Sequence, residues 1–157
     1  MNKVKSGLLL TVLILTCAYA SHAQASFRTS ILEEVNKARQ AGCDCGENYM
    51  PPVPPLVWDE RLEKAASRHA NDMYHHHQFS HTGSDGSSLE ERISKTGYRW
   101  KFIGENIATG YTNSRDVVMG WKGSPGHCKT MMNAGFHEMG AARKGSYWVM
   151  DLGGRDF

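Results

Sequence analysis

Gly104-Glu105-Asn106-Ile107-Ala108, read together with Ser124-Pro125-Gly126-His127, decides the fold. The first stretch sets a carboxylate and an amide inside an apolar run that reads as a strand over residues 100–108. In the second, Ser124 is expected to accept at an N-cap and Pro125 to stand at the first helical position, which puts His127 in the first turn of a helix. Upstream, Phe79-Ser80-His81-Thr82-Gly83 supplies another imidazole on a loop. If these pieces converge, the chain has one polar centre made of two histidines and a glutamate.

Working outward, Ile31, Leu32, Val35 and Ala38 recur at helical spacing and predict an amphipathic helix over 27–40, starting at Ser26 or Ser30 and ended by Gly42. Residues 43–57 carry Pro51, Pro52, Pro54 and Pro55 and read as a stiff, extended loop anchored by Val53, Leu56 and Trp58. Asp59 caps a long helix to about His76, with His69 on its apolar stripe as a hydrogen-bonded core histidine. His75-His76-His77 cannot converge on one ion, because adjacent helical side chains diverge by about 100°. Ser87/Glu90 and Ser88/Glu91 are both capping-box pairs before a short helix closed by Gly97. Asn113 caps a further helix through Trp121, and residues 135–152 read as a hairpin turned at Lys144-Gly145. Helices, a strand, helices and two strands make an α+β pattern with a small, mostly antiparallel sheet covered by helices.

The first 25 residues read as a signal peptide: Lys3 and Lys5, an apolar stretch from Leu8 to Leu15, then small residues around Ala20, Ala23 and Ala25. Residues 26–157 then form a single domain in a secreted or periplasmic protein, with no transmembrane span. The leader holds two of the chain's 18 basic residues and no acid, so 16 basic residues remain against 16 acidic ones. That neutral balance argues against nucleic acid as a partner.

Export makes a disulfide plausible, and Cys43, Cys45 and Cys128 remain after the leader. Cys43 and Cys45 are too close in sequence for a relaxed bridge to each other. Pairing of one of them with Cys128 closes a loop of roughly 80 residues, worth about 4 kcal/mol on the chain-entropy model. Cys45–Cys128 is the expected pair, because Gly46 suits a turn. Three free thiols or an intermolecular Cys43 link are the alternatives.

Chemically, two imidazoles and a carboxylate suit a divalent transition metal such as Zn²⁺, with His81 and His127 as ligands, or an acid–base cluster. The competing reading is that Glu105 and His127 satisfy buried backbone groups and pin loops together. Buried neutral histidines would weaken the fold on acidification. His137-Glu138-Met139-Gly140 begins like a zinc-protease helix but lacks the second histidine. Lys122-Gly123-Ser124-Pro125-Gly126 has Lys where a nucleophile elbow needs Gly.

These segments, with Val117-Val118, Trp121, Met132-Asn133 and Glu138-Met139-Gly140, resemble the CAP superfamily (cysteine-rich secretory, antigen 5 and pathogenesis-related 1 proteins, or SCP-like domains), in its compact bacterial branch. The resemblance covers about residues 31–153. It implies a three-layer α-β-α sandwich, an extracellular setting, and a cavity of two His and two Glu able to hold zinc in some members. By motif, His81, His127 and Glu105 match three of that set; the second Glu, three residues after the helix tryptophan, is Ser124 here. Glu138 is a possible substitute for it. No shared reaction defines such a family. The expectation is a monomeric, non-catalytic binding module for a lipid, an envelope glycan or a protein. The alternative is a metal-dependent peptidase or esterase with His81 and His127 as ligands and Glu105 as base.

Overall fold

The computed structural model describes the backbone of residues 4–155 and the side chains of residues 23–155. Lys3 and the side chains of the expected leader up to residue 22 lie outside the described residues. Helix α1 (Val4–Ala41) is followed by the short strands β1 (Cys43–Cys45), β2 (Asn48–Met50) and β3 (Val57–Trp58). Then come α2 (Glu60–His76), α3 (Leu89–Ser94), β4 (Phe102–Thr109), α4 (Ser114–Gly123), α5 (Pro125–Met131), β5 (Glu138–Lys144) and β6 (Tyr147–Gly154).

The main sheet has the order β3-β5-β6-β4. β5–β6 and β6–β4 are antiparallel, and only the two-residue β3 runs parallel to its neighbour. Side chains alternate across this sheet and build two cores. On one face Ile107, Ala142 and Val149 pack against Ala66, Ala70 and Met73 of α2. On the other, Met139, Trp148, Met150 and Leu152 pack against Ile31, Val35, Trp121 and Met131 of α1, α4 and α5. The result is the three-layer α-β-α sandwich, with β4 as one edge strand.

Caps set most helix boundaries. Asp59 Oδ1 accepts from the backbone of Arg61 and Leu62, and Ser88 and Glu91 complete a reciprocal capping box. Asn113 caps α4 through Asp116. Two glycines admit close neighbours. A Cβ at Gly140 would run into the backbone of Leu62 and Glu63, so α2 lies directly on β5; one at Gly104 would meet the Phe136 ring.

Four expectations change. α1 does not start at Ser26 or Ser30 but runs unbroken from Val4, because the residues ahead of those serines are themselves helical. Residues 43–57 are not simply a loop, since β1 and β2 pair as a hairpin and β3 joins the sheet. Trp100 lies before β4 rather than in it. Ser124 stands at the N-cap of α5, yet its hydroxyl makes no capping bond; Pro125 alone marks the start. Among the described residues, no helix is long and apolar enough to cross a membrane.

Candidate functional site

Strand alternation aims Glu105 at the α2 side of the edge strand and Asn106 at the α5 side. Glu105 is buried, and both of its oxygens are engaged. Oε1 lies 2.7 Å from His81 Nδ1, and Oε2 accepts from Arg92 Nη2 at 2.7 Å. Burial alone would raise the Glu105 carboxyl, but the bond to His81 and the charge of Arg92 outweigh it and hold the group below the usual carboxylate range. Arg92 follows the capping box of α3 and is itself buried. Its Nη1 donates to the carbonyls of His81 and Ser87, both at 3.0 Å, so one guanidinium stitches the 79–87 loop to the sheet.

His69 and Asp151 complete the centre, and neither is part of the set expected from the sequence. His69 Nε2 donates to the Ser80 carbonyl at 2.8 Å and lies 4.0 Å from Glu105 Oε1. It is thus the hydrogen-bonded core histidine its helical position predicted, and also part of the site. Asp151 is the cross-strand partner of Glu105 and pairs on its other side with Gly140. Where α2 closes over Gly140 it buries Asp151 completely. Burial and the adjacent Glu105 charge push the Asp151 carboxyl far up, so the proton resides on Asp151 and the negative charge on Glu105.

The histidines divide by environment. His81 is largely exposed, and its bond to Glu105 raises its basicity. Burial lowers His69. His127, half-buried in the first turn of α5, is lowered by burial and then by the charge of His81. It is placed by Asn106 Nδ2, which donates to its carbonyl oxygen at 2.9 Å from the opposite face of β4. The structure therefore brings His81 onto Glu105 and sets His127 within electrostatic reach, held by its backbone.

The other residues singled out in the sequence are placed as follows. Among the described residues, His81, Glu105 and His127 do not offer donor atoms within 4.8 Å of one another; only Cys43, Cys45 and Cys128 form such a group. Glu138 is engaged by Tyr98 and Arg155 at another end of β5. Ser124 joins α4 to α5 through its backbone: its N–H donates to the Trp121 carbonyl and its carbonyl accepts from Cys128. Cys45 and Cys128 form the expected disulfide, and Cys43 remains a buried thiol.

A metal fits this donor set poorly. The one carboxylate is already neutralised by a buried guanidinium, and a divalent cation beside Arg92 would meet its full positive charge. The centre is nonetheless incomplete. Several buried side-chain atoms that belong to it or adjoin it lack a protein partner among the described residues: His69 Nδ1, Arg92 Nε and Asn106 Oδ1, whereas Asp151 has the Glu105 carboxylate beside it. His69 and Arg92 also line a cavity of about 340 Å³, with Ser87, Asp72 and Asp85 and the exposed Arg68 and Lys95 at its rim.

The sequence model of the cysteine-rich secretory protein family (CAP) matches residues 32–151. YkwD, an uncharacterised protein of Bacillus subtilis, is 28% identical over 142 residues, which are 89% of this chain and 52% of YkwD. An extracellular protein of Bacillus anthracis containing an SCP domain superposes with a TM-score of 0.64 at 26% identity, covering 66% of this chain and 35% of its own. An outer surface protein of Borrelia burgdorferi gives a TM-score of 0.61 at 26% identity, covering 66% and 80%. The chain spans 28% and 52% of the length of the two curated relatives it matches.

Proposed function

Because the chain belongs to the cysteine-rich secretory protein family, whose fold fixes no single reaction, we propose that its function follows from the Glu105 centre: non-catalytic binding of a polar ligand outside the cytoplasm. The proposal includes export through a leader over residues 1–25 and a secreted or periplasmic location. A general base needs a free lone pair aimed at substrate. Glu105 has both oxygens committed to His81 and Arg92, and Asp151 holds its proton, so neither is placed to start hydrolysis.

The observation that carries the reading is the polar cavity of about 340 Å³ whose wall includes His69 and Arg92 of the Glu105 centre. The wall holds three cations, two carboxylates, a hydroxyl and an imidazole, with no large apolar side chain. That chemistry suits a hydroxyl-bearing, charged envelope glycan rather than a lipid chain or an apolar protein surface.

The test is calorimetric titration of soluble envelope-glycan fragments into the purified protein, with phospholipid vesicles as comparison. Saturable binding of a glycan is expected. Arg68→Ala should weaken it about tenfold, the loss of one charge-assisted contact, and leave the melting temperature unchanged. Absence of saturable glycan binding, or binding indifferent to Arg68→Ala, would overturn the reading. So would peptide or ester hydrolysis that Glu105→Gln abolishes.

A further inference from the structure

A second chemically loaded cluster lies away from Glu105. β1 separates Cys43 and Cys45 by two residues, so both side chains leave the same face of the strand. Both are buried, as is Cys128 on α5. Cys45 and Cys128 are joined, and the remaining sulfur, Cys43 Sγ, stands 3.3 Å from Cys128 Sγ and 3.9 Å from Cys45 Sγ. Met132 packs with the three cysteines, and Met50 and Val53 partly cover them. A resident thiol therefore lies beside the sulfur it would attack, side-on to the Cys45–Cys128 bond, so a side-chain rotation brings it in line and no diffusing reagent is required.

We propose that Cys43 and Cys45 are interchangeable partners of Cys128, related by thiol–disulfide exchange inside the folded protein. The Cys43 thiolate attacks Cys128 Sγ. The Cys43–Cys128 bond forms as the Cys45–Cys128 bond breaks, and Cys45 leaves as a thiolate that takes up the proton released from Cys43. One disulfide and one thiol exist before and after, so neither oxidant nor reductant is consumed. Burial holds the Cys43 thiol up, Lys122 at the end of α4 pulls it down, and Asp44 adds to the rise. Only a small thiolate fraction is present at neutral pH, and exchange is correspondingly slow. The exchange decides which end of β1 is tied to α5, the helix that also carries His127.

Asp44 makes the isomers separable, since a protease that cuts on the amino side of aspartate divides Cys43 from Cys45. The purified protein is held at mildly alkaline pH, its free thiols are alkylated in acidic denaturant, and the fragments are mapped by mass spectrometry. Label is expected on both Cys43 and Cys45, with Cys45 labelled in roughly a tenth of molecules or more, because similar surroundings keep two such isomers within about tenfold. Cys45→Ser should close Cys43–Cys128 under the oxidation that closes Cys45–Cys128 in Cys43→Ser, with both variants melting within a few degrees of each other. Label on Cys43 alone in the unmodified chain overturns the proposal. So does a Cys45→Ser chain whose Cys43 and Cys128 both remain open to alkylation under those conditions.

Discussion

Two glutamates of the same sheet each recruit an arginine, and they end differently. Glu138 accepts from the Tyr98 hydroxyl at 2.6 Å and from Arg155, which also approaches Asp59, itself paired with Arg61. The Tyr98 ring lies against both guanidiniums, at 5.2 and 5.3 Å. No buried atom of that cluster lacks a partner among the described residues. Around Glu105 a salt bridge also forms, but His69 and Arg92 keep unpartnered atoms. Cavity size does not separate the two regions, since a larger space of about 440 Å³ adjoins Arg61 and Arg155. Unmet hydrogen-bonding capacity does: one cluster is satisfied within the fold and the other is not.

The largest effect that can break this comparison is Arg92→Met. It strands the Glu105 charge in a buried setting, and urea unfolding at neutral pH should show a loss of about 3–5 kcal/mol. Arg155→Met, at a more open pair, should cost about 1 kcal/mol. Equal losses would mean the two clusters are of one kind.

Asp151→Asn tests where the shared proton resides. Asp151 is raised in the folded state, so its contribution is full below its unfolded value near 4. It is lost as pH rises toward the folded value. The amide variant escapes this loss, and its stability relative to the native chain should climb by up to about 1.4 kcal/mol per pH unit across that window. A constant difference would contradict the assignment.

His69 has the opposite sign. Its folded-state value is lowered by burial, so its contribution is present above about 6.5 and is lost as pH falls. His81 is raised, contributes fully below the same point, and loses that contribution as pH rises through its folded value. Between pH 5 and 7 His69 works against stability on acidification while His81 works for it, so in melting experiments the stability of His69→Gln should fall less, or rise more, than that of the native chain as pH is lowered, by about 1 kcal/mol per pH unit at most. His127→Ala, half-buried and held through its backbone, should change stability least, by about 0.5 kcal/mol.

Local chemistry made much of this legible in the sequence. Asp59, Ser88/Glu91 and Asn113 announce their helices by capping groups that the structure uses. His81 and Glu105 stand in short motifs, and they meet. Asp151 could not be found that way, because it enters the site only through strand register, opposite Glu105. Arg92 looks like any basic residue on a short polar helix until α3 is docked over β4. The β1–β2 hairpin escapes because Cys-Asp-Cys and Asn-Tyr-Met lack an apolar alternation long enough to read. The missing cap at Ser124 is the converse: a residue suited to a bond that the tertiary arrangement does not form.

Arg92 is the cation paired with Glu105 in the folded protein. The most direct test of that pairing is isothermal titration of Zn²⁺ into the metal-stripped protein beside a His81→Ala/His127→Ala control. With Arg92 already neutralising Glu105, the two titrations are expected to coincide. Micromolar or tighter binding that the control loses would contradict this and return the centre to metal chemistry.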